Sequence, residues 1–183
     1  MGLLRAWCAA SILLLGHGRV SAAQAAPTPE YQLKAVFLFN FAQFVEWPPS
    51  AFPDSGAPLV IGILGADPFG SYLDETVRGE RVNEHPLVVQ RFRRVEDIAA
   101  CHILFVAEPG RGHLKPILDS LKGRSVLTVS DVERFTSRGG MIGFVTDQHR
   151  IRLRINLAAA RAAELTISSK LLRPSQIVSD AKD

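Results

Sequence analysis

Leu-Val-Ile-Gly-Ile-Leu at 59–64 is an unbroken apolar run of strand length. Such a run suits a strand buried on both faces, as in a parallel sheet covered by helices on each side. Turn chemistry follows at once in Gly65-Ala66-Asp67-Pro68. A second run of the same kind, His-Ile-Leu-Phe-Val-Ala, stands at 102–107. Further strands are expected at 86–92 and 125–129. Short helices are expected between them at 73–77, 95–100 and 113–121. In the last of these Leu114, Ile117, Leu118 and Leu121 fall at helical spacing and Gly123 closes the helix. Asp131 is expected to cap one more short helix, through 135.

Past 140 the pattern changes. Two strands, 141–146 and 150–157, flank Asp147-Gln148-His149. Ile151, Leu153 and Ile155 alternate with Arg152, Arg154 and Asn156, the mark of an antiparallel hairpin with one face in solvent. A helix at 158–164, a short strand at 165–167 and a final turn at 170–173, interrupted by Pro174, complete the chain. Four strand–helix alternations followed by a hairpin predict an α/β three-layer sandwich. Its central sheet is mostly parallel, flanked by helices, with right-handed crossovers and a C-terminal antiparallel hairpin.

Upstream of the first strand stands Tyr-Gln-Leu-Lys-Ala-Val-Phe-Leu-Phe-Asn-Phe-Ala-Gln-Phe-Val-Glu-Trp, 31–47, with no charge between Lys34 and Glu46. Thr28 and Pro29 signal its start as a helix, and Pro48 and Pro49 its end. Leu33, Val36, Phe37, Phe41, Phe44 and Val45 share one helical face. Ala35, Leu38, Phe39 and Ala42 extend the apolar surface around it, so a sheet on one side is not enough cover. The uncharged run is too short to span a bilayer, which takes roughly 20 apolar residues. Asn40 within it reads as a core amide satisfied by backbone, or else as a residue facing a ligand or partner.

The first residues read as a targeting segment. Arg5 supplies the positive end, 9–15 a short apolar stretch, and Ser21, Ala22, Ala23, Ala25 and Ala26 small residues for cleavage after Ala23 or Ala25. The expected organisation is a signal peptide over 1–23 and one domain over 24–183, exported to the periplasm. Cys8 lies inside the apolar stretch rather than after it, which argues against lipidation. Cleavage removes Arg5 and Arg19 and leaves 19 basic residues against 18 acidic ones, so the basic pI of the whole chain says little about partners. The arginines at 91, 93 and 94, and those at 150, 152 and 154, lack interleaved aromatics for base stacking, and no nucleic acid is expected. A solvated edge strand accounts for both groups.

Cys101 alone remains after cleavage, which excludes an internal disulfide. It is a buried free thiol or half of a bridge between chains. Its place between Ile98-Ala99-Ala100 and the apolar run at 102–107 favours burial.

No motif for chemistry emerges. The loop 65–70 lacks the glycine spacing of a dinucleotide site, and Pro68 removes a backbone donor. Gly110-Arg111-Gly112-His113 precedes a helix and has the makings of an anion site, but an ordinary loop explains it as well. His85, His102, His113 and His149 have no metal-ligand spacing, and neither metal nor cofactor is expected. No nucleophile elbow occurs. Asp67, Asp131 and Glu133 are explained by local capping. A binding or regulatory domain and an exported enzyme with an unrecognised site both remain open.

Five stretches together resemble the YfiR family of periplasmic regulators: 31–48, 61–70, 101–108, 125–144 (SVLTVSDVERFTSRGGMIGF) and 150–172 (RIRLRINLAAARAAELTISSKLL). The resemblance spans nearly all of the expected mature domain. It implies an α/β fold without known enzymatic activity. It also implies a repressor that binds the sensor region of an inner-membrane diguanylate cyclase, lowering cyclic di-GMP and biofilm output. An outer-membrane lipoprotein that sequesters the repressor is implied as a second partner. The alternative is an exported small-ligand-binding domain or enzyme. Many relatives carry a cysteine where this chain has Gly62, able to pair with the cysteine of the Cys-His-Ile-Leu-Phe stretch. Redox control by that bridge is therefore not open to this chain.

Two surfaces are candidate contacts. The hairpin 141–157 is the expected sheet edge, and Arg150, Arg152 and Arg154 on it either face an acidic partner or blunt the edge against aggregation. The other is the outer side of the first helix around Leu38, Phe39 and Ala42. Exposed apolar area there would suit the cyclase or a second copy of the chain.

Overall fold

The computed structural model describes residues 27–107, 113–148 and 150–178. The signal segment, and the expected anion loop apart from His113, lie outside them.

The chain opens with α1 (Pro29–Phe44) and the short β1 (Val45–Glu46). Then come β2 (Leu59–Leu64), α2 (Ser71–Val77), β3 (Arg81–Val82), β4 (His85–Phe92), β5 (Ile103–Val106) and α3 (Leu114–Ser120). The last third contains β6 (Leu127–Ser130), β7 (Ile142–Asp147), β8 (Arg150–Asn156), α4 (Leu157–Ala162), β9 (Thr166–Ile167), α5 (Ser169–Leu172) and β10 (Gln176–Val178). Eight strands form one sheet in the order β10-β8-β7-β6-β5-β2-β4-β3. Its inner pairs are parallel from β4 through β7, and β7 pairs with β8 as the expected antiparallel hairpin. The α/β fold read from the alternation is the fold observed.

All six residues of β2 are buried, as an apolar run without alternation requires. Successive side chains feed two separate cores. Ile61, Ile63, Ile103 and Phe105 join α1 and α2 in the larger one. Leu64, Leu104 and Val106 join Leu114 and Leu121 in the smaller one. Cys101 belongs to the second and is 6% exposed, in agreement with the expected burial. Burial pushes its thiol up to about 12, so it is neither a nucleophile nor a ready disulfide partner.

The first helix begins where Thr28 and Pro29 place it, but it buries a different stripe. Lys34, Ala35, Leu38, Phe41 and Ala42 face inward, whereas Leu33 (47% exposed) and Val36 (37% exposed) face out. An almost wholly apolar helix has no periodicity to choose its face. The choice falls to fit, and Ala35 and Ala42 let the helix lie close to the sheet. Leu38 and Ala42 are therefore core and no part of an outer contact surface. The helix also ends earlier than the prolines imply. Val45 and Glu46 turn extended and pair antiparallel with Ile167 and Thr166 in a separate two-stranded sheet. Asn40 is half-buried, with no side-chain hydrogen bond among the described residues. The reading as a satisfied core amide is not met.

The expected edge is corrected too. Pro174 stops α5 and the chain returns as β10, which runs parallel beside β8 along 154–156. Only the first half of β8 is left at the margin. Asp131 does not cap a helix either. Ser130 Oγ accepts from Val132 N (3.1 Å), and Asp131 is drawn into an ion pair.

Candidate partner-binding surface

Open α/β sheets bind ligands where the strand order reverses, at the carboxyl ends of the strands. Here β2 leads to β4 on one side and β5 continues on the other, which puts the reversal between β2 and β5. The loop leaving β2 turns Phe69 fully inward. Its ring meets Phe105 edge-on at 4.9 Å and Tyr31 of α1 at 5.6 Å. Asp67 secures that turn by accepting from Phe69 N and Gly70 N, and Arg91 clamps Asp67 to Asp74 of α2.

Beside the rings lies a closed polar knot. Lys34 Nζ, 3% exposed, is 2.6 Å from Asp131 Oδ2 and 2.7 Å from Glu30 Oε1. Tyr31 OH donates to the same Asp131 oxygen (2.9 Å), and Thr146 Oγ1 donates to Glu30 (3.1 Å). The Lys34 ammonium also stands 4.3 Å from the Tyr31 ring centre. The hydrogen bond from Lys34 holds the Glu30 carboxyl below its ordinary range. The knot ties the first turn of α1 to the end of β6 and to β7. Removing one partner of such a pair strands the other, which is how it fixes the helix in place. Sequence reading missed it, although Glu30 and Lys34 are the only charges of α1 and stand four residues apart.

The three hairpin arginines come together as the alternation requires. Val145 faces Arg152 across the ladder, Gly143 faces Arg154, and Asp147 faces Arg150. All three arginines are exposed, on the side of the sheet opposite α1. The smaller core ends near Phe135, and beyond it the 3-10 turn Thr136–Arg138 lies on this face over Gly143, where Asn156 Nδ2 donates to the Thr136 carbonyl (3.2 Å). Arg154 Nε donates to Gln176 Oε1 (3.0 Å), and Arg152 pairs loosely with Asp147 at 3.4 Å. Between this face and the 131–136 loop lies a hollow of about 380 Å³, with Arg134 and Arg154 among its walls. An exposed guanidinium gains little from a surface pair. Arg154 is thus oriented by Gln176, and all three guanidinium groups stay exposed to solvent. Phe39 is placed elsewhere. It is half-buried against the larger core, so it and the arginines lie on opposite faces of the sheet.

The amino ends of β2 and β4 carry an aromatic corner that the sequence did not single out. Phe52 is stacked between His85 (3.8 Å) and His102 (4.4 Å). His102 Nδ1 accepts from Val60 N (3.0 Å) while Nε2 faces the Ala51 carbonyl (3.1 Å), which fixes the neutral tautomer protonated on Nε2. Trp47 Nε1 donates to the His102 carbonyl (3.2 Å). Among the described residues no group of His, Cys, Asp and Glu could hold a metal ion.

A family model described as YfiR/HmsC-like matches residues 31–176, most of the chain. No curated protein matches it.

Proposed function

Since the chain belongs to the YfiR/HmsC-like family, a family of periplasmic, non-enzymatic regulators, we propose that it is exported by cleavage near Ala23. In the periplasm it binds and represses the sensor region of an inner-membrane diguanylate cyclase. Repression lowers cyclic di-GMP and with it biofilm output. The family match over 31–176 carries this reading. The geometry is consistent with it: the usual ligand crevice is packed with aromatic rings, and an exposed basic sheet face is suited to a protein surface.

Arg150, Arg152 and Arg154 are the contact proposed for the cyclase. Electrostatic complementarity of this kind sets partner choice and encounter rate more than raw affinity. Phe39, on the far face, is a separate contact for a second copy or an outer-membrane lipoprotein. The test is cellular. The cyclase is expressed with and without the chain in a strain lacking both, and cyclic di-GMP is measured. The chain should lower the nucleotide, Arg152→Glu should restore it, and Phe39→Ala should leave cyclase repression intact. Unchanged cyclic di-GMP with the parent chain present in the periplasm overturns the reading.

A further inference from the structure

α4 reads Leu-Ala-Ala-Ala-Arg-Ala and is followed by Ala163. Alanine is the best helix former, but its side chain ends at Cβ and fills little space. Ala160 meets the core, while Ala159, Ala162 and Ala163 form one wall of a groove facing α3. The groove has a volume of about 730 Å³ and lies at the amino ends of β6 and β7, and none of the hairpin arginines lines it. Close-packed proteins leave few voids larger than a water molecule, and small-molecule sites run to roughly 300–1,000 Å³. Leu121, Val126 and Met141 make its lining apolar.

Lys115, Lys122 and Arg138 add positive charge to the same lining. Lys115 and Lys122 share Asp119 at 2.5 and 2.6 Å, and their hydrogen bonds hold its carboxyl down at about 2. The trio therefore carries one net positive charge at any physiological pH. Arg138 is exposed and has no carboxylate within ion-pair distance among the described residues. The lining thus combines an apolar body with a net charge of two positives. Its complement is a molecule with an apolar body and an anionic end.

We propose that this groove binds a small anionic amphiphile, a single alkyl chain ending in a carboxylate or phosphate. The apolar lining and the alanine wall take the chain, and Arg138 with the two lysines takes the head. The site shares no residue with the proposed cyclase contact and stands whether or not that reading holds.

Displacement of a dansylated undecanoic acid from the mature protein tests this. Laurate and dodecyl phosphate should displace the reporter, and dodecanol and dodecylamine should do so at least about tenfold more weakly. The ratio of laurate to dodecyl phosphate tells a carboxylate site from a phosphate site. Ala162 is exposed, so Ala162→Leu keeps the fold while filling the groove, and it should abolish reporter binding. Arg138→Glu, away from α4, should weaken laurate about tenfold and leave the melting temperature unchanged. Absence of reporter binding, displacement by dodecanol as good as by laurate, or insensitivity to Arg138→Glu each overturns the proposal.

Discussion

Gly62 and Cys101 compete for one space. A Cβ on Gly62 would stand 2.7 Å from Cys101 Sγ, 2.8 Å from the Phe92 ring and 3.0 Å from Leu104. The two positions that the family resemblance linked through a disulfide are thus side by side, but here one side chain fills the room of both. Gly62→Ala should destabilise by about 1–3 kcal/mol through overpacking. Chemical denaturation measures this, and adding Cys101→Ala should recover part of the loss. His102 makes a second residue-level prediction. Burial, chiefly, with a smaller contribution from His85, holds its imidazole below the ordinary 6.5. The unfolded chain then binds a proton that the folded chain resists. Stability should fall as pH drops through 6.5 toward the lowered native value, and the stability present above 6.5 is lost across that window. The Glu30 carboxylate loses its contribution only at lower pH, below the ordinary carboxylate range. Denaturation midpoints between pH 7.5 and 5 separate the two. A flat profile over that interval contradicts the neutral tautomer assigned to His102.

At the scale of elements, legibility followed pattern strength. β2 runs from Leu59 to Leu64, the bounds its apolar run gave, and the outward arginines of β8 followed from strict alternation. α1 was placed correctly at its start and misread in orientation, because a helix apolar on all sides leaves the choice of face to packing partners distant in sequence. β1, β3 and β10 are two or three residues long and exist only through their pairing partners. The equally short β9 falls within the strand expected at 165–167, but no local pattern announces the other three, and the edge hidden by β10 was missed for that reason. The stripe of α1 is directly testable. Leu38→Ala should cost about 2–5 kcal/mol because it opens a cavity in the core. Val36→Lys should stay within about 0.5 kcal/mol, as surface changes do. Equal losses in thermal or chemical denaturation would contradict the observed orientation.

Over the whole molecule, the two halves of the sheet differ. The half from β5 to β4 lies between helices and short turns on both faces, and its ligand crevice is filled by Phe69, Tyr31 and the Lys34–Asp131 knot. The half from β7 to β10 is covered on the α1 side and only partly on the other, where the 3-10 turn Thr136–Arg138 lies over Gly143 and Arg150, Arg152 and Arg154 stay exposed. The sequence made the arginines legible as a set. It did not reveal how little of this face is covered, which depends on where the short turn Thr136–Arg138 lands on the sheet. Nor did it reveal the groove at α4, since alanines in a helix read as propensity and not as missing volume. The central claim is that this basic face holds a cyclase sensor region. Isothermal titration of the mature chain with the isolated periplasmic region of a membrane diguanylate cyclase from the same organism tests it most directly. Saturable binding is predicted, weakened at least about tenfold by the folded double variant Arg152→Glu, Arg154→Glu and less so at higher salt. No binding by the parent chain, or equal binding by the double variant, would contradict it.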